Sequence, residues 1–292
     1  MEIIGRRKIW YALSLLILIP GLISLLLQGL NLGIDFTGGS MLQLKFERAV
    51  TVENVRDVLD KANVGSSTIQ LAEGNSVIVR THTLEQSQRN ELVGAMKTQL
   101  GDLTVERDEN VGPVVGKELT RNALLALLLA IIGMVAYISF RFEFKFAVAA
   151  IIALLHDILV VTGLFSIFQI EVDSSFVAAI LTVFGYSIND TIVIFDRIRE
   201  NLRKKKKDEN LDALVNRSVK ETLTRSINTV LTVIFVLVAL LFWGGNTTKV
   251  FTLAMLLGVI AGAYSSIFNA SPVWYDLKQW ERAQRRAKAK AA

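Results

Sequence analysis

The sequence predicts a polytopic α-helical membrane protein with six transmembrane helices and one external α+β domain inserted between helices 1 and 2. Three observations predict it. Of the 292 residues, 52% are hydrophobic and the mean hydropathy is +0.44, too apolar for an ordinary soluble enzyme. Six apolar runs are each long enough to cross a hydrocarbon core about 30 Å thick. One long interval, residues 31–121, has mixed charge and no run that could span.

The elements follow in order. Gly5-Arg6-Arg7-Lys8 precedes a run from Ile9 to Leu30, interrupted only by Pro20 and Gly21. At roughly 20 residues it is longer than the core of a signal peptide, and no Ala-x-Ala site follows, so it reads as a retained first helix kinked at Pro20. Within 31–121, Met41 to Glu47 alternates as a strand, and Thr51 can cap a helix carrying Val52, Val55, Val58 and Leu59 on one face. Ser67 to Leu71 and Ser76 to Thr81 read as strands about a Glu73-Gly74-Asn75 turn. A helix from Leu84 to Leu100 repeats Leu92, Met96 and Leu100 every fourth position, and a strand runs from Leu103 to Val111. The order β-α-β-β-α-β is that of a ferredoxin-like sandwich, two helices on one face of a four-stranded antiparallel sheet.

Asn122 to Phe140 is the second spanning run; a partly basic turn, Arg141 to Lys145, leads into the third, Phe146 to Phe168. An acidic loop, Gln169 to Asp173, opens the fourth, which starts near Ser174 and passes through Gly185-Tyr186-Ser187-Ile188-Asn189-Asp190-Thr191 to the lysines 204–207. Ser226 to Trp243 is the fifth run, 244–248 a short turn, and Val250 to about Ala270 the sixth. The chain thus divides into residues 1–30, 31–121, 122–272 with a basic loop at 197–225, and a basic amphipathic tail at 273–292. That tail is expected on the membrane surface or in solvent.

Lys and Arg in the short connections gather at the N-terminus, the 141–145 turn, the 197–225 loop and the tail, whereas the 169–173 and 244–248 loops have none. Alternate connections are basic, which predicts both termini in the cytoplasm and residues 31–121 outside. No basic face interleaved with aromatics suggests nucleic acid. Cysteine is absent, so no disulfide or thiolate site exists. The near miss Gly112-Pro113-Val114-Val115-Gly116-Lys117-Glu118 is one residue short of a phosphate loop, and glutamate stands where Ser or Thr belongs. With only His82 and His156 in the chain, and no His-Glu-x-x-His or Gly-x-Ser-x-Gly, neither metal catalysis nor a hydrolytic triad is expected. The expectation is a transport protein without cofactor, driven by an ion gradient or by a partner.

Asp190 is the first candidate for that role. A carboxylate at the bilayer centre costs about 2.5–3.5 kcal/mol and is tolerated mainly where it pairs, titrates or lines a watery path. Counted from Ser174, Asp190 lies about 24 Å into a core of about 30 Å, in its inner third; the plainer reading is a carboxylate reaching the headgroups, which serves for Asp196. Thr182, Tyr186, Asn189, Asp190 and Val193 share roughly one helical face, and Arg225, Asn228, Thr229 and Thr232 begin the fifth helix on another. Arg225 can point into the core toward Asp190 or serve as an anchor at the inner boundary. His156 and Asp157 interrupt the third helix about 10 Å higher and read as a structural pair within the bundle. Gly258 and Gly262, within a row of small residues from Ala254 to Ala270, form a close-packing face whose partner the sequence does not identify. Gly38 and Gly39 read as a turn needing positive φ, with a hinge as the alternative.

Five stretches carry a family resemblance: Gly33-Ile34-Asp35-Phe36-Thr37-Gly38-Gly39, Val111 to Gly116, His156-Asp157, Gly185 to Thr191 continuing into Asp196 to Asn201, and Tyr264 to Phe268 before Ser271-Pro272. Together they resemble the SecF branch of the SecDF family of the bacterial Sec protein-export machinery, relatives of the resistance-nodulation-division exporters. The resemblance implies a multi-pass protein of the bacterial inner membrane that pairs with SecD and associates with the SecYEG channel, with YajC as a further candidate partner. It implies use of the proton motive force, or of sodium, to complete export of unfolded preprotein. The family's intramembrane aspartate falls on Asp190 and its basic residue on Arg225. Two alternatives stand beside it: a passive scaffold subunit, and export of small hydrophobic molecules.

Overall fold

The computed structural model describes residues 2–72, 74–205 and 209–291. Glu73 of the predicted turn and Lys206 and Lys207 of the lysine run lie outside them. The chain forms two compact units, one of residues up to 31 together with 126 onward, the other of residues 32–125.

The second unit holds an antiparallel sheet of strands β1 (Gly39–Phe46), β2 (Thr68–Ala72), β3 (Ser76–Thr81) and β4 (Leu103–Val111), in the order β2-β3-β1-β4. This is the predicted ferredoxin-like arrangement. A one-turn helix, α2 (Ile34–Thr37), leads into β1, and α3 (Val52–Lys61) and α4 (Gln86–Leu100) pack on the sheet; the core lies between these two and the sheet, with Leu42, Leu44, Val58, Leu59, Val77 and Met96 among its buried side chains. Thr51 caps α3 by accepting from the Asn54 amide at 3.3 Å. Val52, placed by spacing on the buried face, is instead 39% exposed in the first turn of α3. A bulge between Gln43 and Leu44 interrupts the β1–β4 pairing opposite Glu106, whose carboxylate accepts from Gln43 at 2.7 Å and Ser76 at 3.0 Å.

Among the described residues, six helical segments are long and apolar enough to cross a membrane. They are α1 (Arg7–Leu27), α5 (Pro113–Arg141), α6 (Phe144–Ile167), α7 (Ser174–Arg203), α8 (Leu211–Trp243), and α9 (Lys249–Ser265), which continues through a π-helical turn (Ser266–Ala270) into α10 (Ser271–Ala291). α1 passes through Pro20 as one helix. Asp173 caps α7, accepting from the Phe176 amide at 3.1 Å. Two helices begin well before the apolar runs that predict them. α5 starts at Pro113, whose fixed φ suits the first helical position and whose missing N–H costs nothing there. α8 starts at Leu211 because Leu214, Val215, Ser218, Val219 and Thr222 form a buried stripe among charged residues. The predicted loop 197–225 is therefore largely the ends of two helices.

α9 is the hub of the bundle, packing against α6, α7 and α8, while α1 packs on α6. At the α1–α6 crossing the two backbones touch: a Cβ on Gly21 would lie 2.9 Å from the Gly163 Cα. The tail does not trail away. Lys145 pairs with Glu281 at 2.5 Å, Lys278 with Glu143 at 3.1 Å and Arg7 with Asp276 at 2.8 Å, fastening α10 to the start of α6 and the start of α1. The Ile3 and Ile4 amides donate to Asn216 Oδ1, and Arg141 faces Asp196 at 3.6 Å. All four basic segments thus meet at one end of the bundle.

Candidate functional site

Asp190 sits on α7 facing α8. Ser226 donates to its Oδ1 at 2.6 Å, while Oδ2 is buried with no hydrogen-bond partner among the described residues. Beside it, Tyr186, Ser187, Asn189, Thr229, Val259 and Gly262 help line a cavity of about 20 Å³, room for about one water molecule. Arg225 is exposed, and no ion pair to Asp190 occurs among the described residues. The neighbouring Ser226 is the α8 residue in hydrogen-bond contact with the carboxylate, and the Arg225 charge acts on it without an ion pair. Asn189, Thr182, Asn228, Thr229 and Thr232 are exposed, so α7 and α8 present a polar stripe on the surface of the bundle.

The second intramembrane acid is enclosed completely. Asp157 is 0% exposed. Its Oδ1 lies 3.0 Å from His156 Nδ1, and its Oδ2 accepts from Ser187 of α7 at 2.6 Å and Ser265 of α9 at 2.8 Å. Three helices are therefore joined at one carboxylate. Ser266, in the π-turn, extends the network: its hydroxyl pairs with Thr191 at 2.9 Å and donates to the Ser187 carbonyl at 3.3 Å. π-Turns inside helices often mark functional positions; here Pro272, which cannot donate to the helical ladder, stands two residues after its end. His156 Nε2 is buried with no hydrogen-bond partner among the described residues, while Nδ1 faces Asp157.

The glycines have separate tasks. A Cβ on Gly258 would lie 2.2 Å from Val183 Cγ2, and one on Gly262 would lie 3.1 Å from Ser187 Cβ, so this face packs α9 onto α7 within the chain. That contact brings Ser265 and Ser266 within reach of α7. Gly38 and Gly39 have φ of 74° and 131°, conformations that side chains disfavour. A Cβ on Gly38 would lie 3.1 Å from Pro113 Cα and one on Gly39 would lie 2.5 Å from the Thr81 carbonyl. This is a turn pinned by backbone contacts.

Sequence reasoning missed Ser226, Ser187, Ser265, Ser266 and the Gly21–Gly163 crossing. Ser187 was reachable, since it stands three residues before Asp190 and one helical turn puts both on one side.

Comparison with known proteins bears on what this arrangement serves. The family described as "Protein export membrane protein SecD/SecF, C-terminal" matches residues 92–280, and the "SecD/SecF GG Motif" matches residues 23–50. The protein translocase subunit SecF of Sebaldella termitidis is 40% identical over 99% of this chain and 95% of its own length. That of Acidaminococcus fermentans is 45% identical over 94% of this chain and 96% of its own. Among solved structures, the chain is similar to SecDF of Thermus thermophilus, a translocon-associated membrane protein, with a TM-score of 0.89 and 36% identity; the match covers 96% of this chain and 39% of that one.

Proposed function

Since the chain belongs to the SecF family of protein translocase subunits, we propose that it converts an ion gradient into late steps of preprotein export through protonation and deprotonation of Asp190. The observation that supports this is the buried Oδ2 atom, without a hydrogen-bond partner among the described residues, beside a cavity of about 20 Å³. A permanently ionised carboxylate would be held by several donors, because a buried charge without them is costly. Among the described residues Asp190 has one, a hydroxyl that can donate to the anion or accept from the acid. The site therefore suits a group that changes its charge.

In this reading the protein lies in the bacterial inner membrane with the basic end of the bundle in the cytoplasm and the ferredoxin-like unit outside, where it meets emerging preprotein. The exposed polar stripe of α7 and α8 requires covering in lipid. A SecD partner with polar or acidic membrane helices supplies that cover, and Arg225, exposed on α8, answers its acid. The pair then works on the SecYEG channel, with YajC as an accessory.

The test is Asp190→Asn in vesicles containing the complete translocase. Export keeps its basal rate and loses its acceleration by a proton gradient. An unchanged response to the gradient would leave a scaffold subunit in place of a motor, and a response to sodium alone would change the coupled ion.

A further inference from the structure

Asp157 and His156 have no part in the reading above, and the way they are held gives them one. We infer that Asp157 is a second proton-binding site, exchanging its proton with Asp190 through the Ser187 hydroxyl. The inference rests on the proposed role of Asp190.

Three features carry it. Ser187 belongs to both acids: its Oγ is 2.6 Å from Asp157 Oδ2, and the residue lines the small cavity beside Asp190. Ser187 and Asp190 both line that cavity, which has room for about one water. The partners of Asp157 Oδ2, Ser187 and Ser265, are both hydroxyls. Hydroxyls donate to a carboxylate and accept from a carboxylic acid, so the site is satisfied in either state with no side chain moving. A carboxylate built only to bind three helices together would be better served by amide or guanidinium donors.

The transfer balances as a simple shift of hydrogens. The Asp190 Oδ2–H bond breaks and its proton passes to the cavity water. That water gives a proton to Ser187 Oγ while the serine's own O–H bond breaks and its proton passes to Asp157 Oδ2. Asp190 ends as carboxylate and Asp157 as carboxylic acid, with one negative charge exchanged between them. The groups around Asp157 allow this. On α6 it meets His156; on α7, Ser187; on α9, Ser265 and Tyr264, whose ring is 5.8 Å from the imidazole. The Tyr264 hydroxyl is engaged by the Trp10 carbonyl at 2.8 Å. On α1, Tyr11 is turned to Asp276 at 3.1 Å and Ser14 is within 3.1 Å of Asn269. No Lys or Arg pairs with Asp157 among the described residues.

Two serines separate a relay from a bolt. Ser187→Ala and Ser265→Ala each remove one hydrogen bond from Asp157 Oδ2, but only Ser187 also lines the Asp190 cavity. With the complete translocase in vesicles, and melting temperature as the check on folding, Ser187→Ala should slow gradient-driven export and its accompanying proton uptake on the order of a hundredfold. Ser265→Ala should have little effect, and Asp157→Asn should behave as Ser187→Ala does. Equal losses in the two serine variants would make Asp157 a structural joint and overturn the relay. Loss of gradient response in Asp190→Asn, with Ser187→Ala and Asp157→Asn at wild-type rates, would overturn the relay and leave the role of Asp190 standing. A full response in Asp190→Asn would remove both.

Discussion

Gly163→Ala places a methyl group where two backbones already touch. The added Cβ would lie 2.8 Å from the Gly21 Cα, whereas carbons rest at about 3.5–4.0 Å. Neither backbone can rotate away as a side chain would, so α1 and α6 must part by about 1 Å. The consequence does not stop at the crossing. One turn along, Ser166 binds Ser24 at 2.7 Å and the Gly29 carbonyl at 2.7 Å, and its own carbonyl accepts from Gln28 at 3.0 Å. An added 1 Å or so carries these past about 3.5 Å, where such bonds cease to count. Overpacking costs about 1–3 kcal/mol and each lost hydrogen bond about 0.5–1.5 kcal/mol. The sum expected is roughly 2–4 kcal/mol, since relaxation will spare some of the bonds. Unfolding in mixed micelles, followed by tryptophan fluorescence, measures it. Gly133→Ala is the control: its Cβ would meet nothing within 4 Å, so it should be neutral or stabilising by up to about 1 kcal/mol. If Gly163→Ala unfolds alongside Gly133→Ala, the close crossing does not hold α1 in place and the reasoning fails.

Other perturbations follow from the same geometry. Gly39→Ala should break the Ser40–Thr81 end of the β1–β3 pairing, because its Cβ lies 2.5 Å from the Thr81 carbonyl at a φ of 131°; faster limited proteolysis between residues 32 and 125 would report it. Gly258→Ala should destabilise the α7–α9 contact by about 1–3 kcal/mol, lowering the melting temperature, since Val183 is β-branched and cannot swing clear. Asp276→Asn loses the ion pair with Arg7 and weakens the contact with Tyr11. Cleavage of α10 by trypsin should then quicken, with no change in the melting of the bundle.

The fold was legible where local chemistry and burial agree. Thr51 caps the helix that its position announces, and Ser76–Thr81 and Leu103–Val111 form the strands read there. It was least legible where a helix runs from membrane into water. The charges among Leu211 to Arg225 conceal a buried stripe that an apolar-run reading cannot see. Asp190 drew attention because a carboxylate in lipid demands an explanation. Ser226 and Ser187 drew none, because a hydroxyl in a membrane helix can satisfy itself on its own backbone and requires no partner. For the same reason, Arg225 looked like the neighbour of Asp190 by charge, while the shorter residue beside it is the one in contact.

Everything proposed for this chain depends on the Asp190 carboxyl changing protonation as the gradient is made and dissipated. Infrared difference spectra of the complete translocase in vesicles, with Asp190→Asn to assign the band, observe that group directly. The account predicts a carboxylic-acid band that grows and fades with the imposed proton gradient and is missing from the variant. A band that stays constant whatever the gradient, or is unchanged by Asp190→Asn, would contradict it.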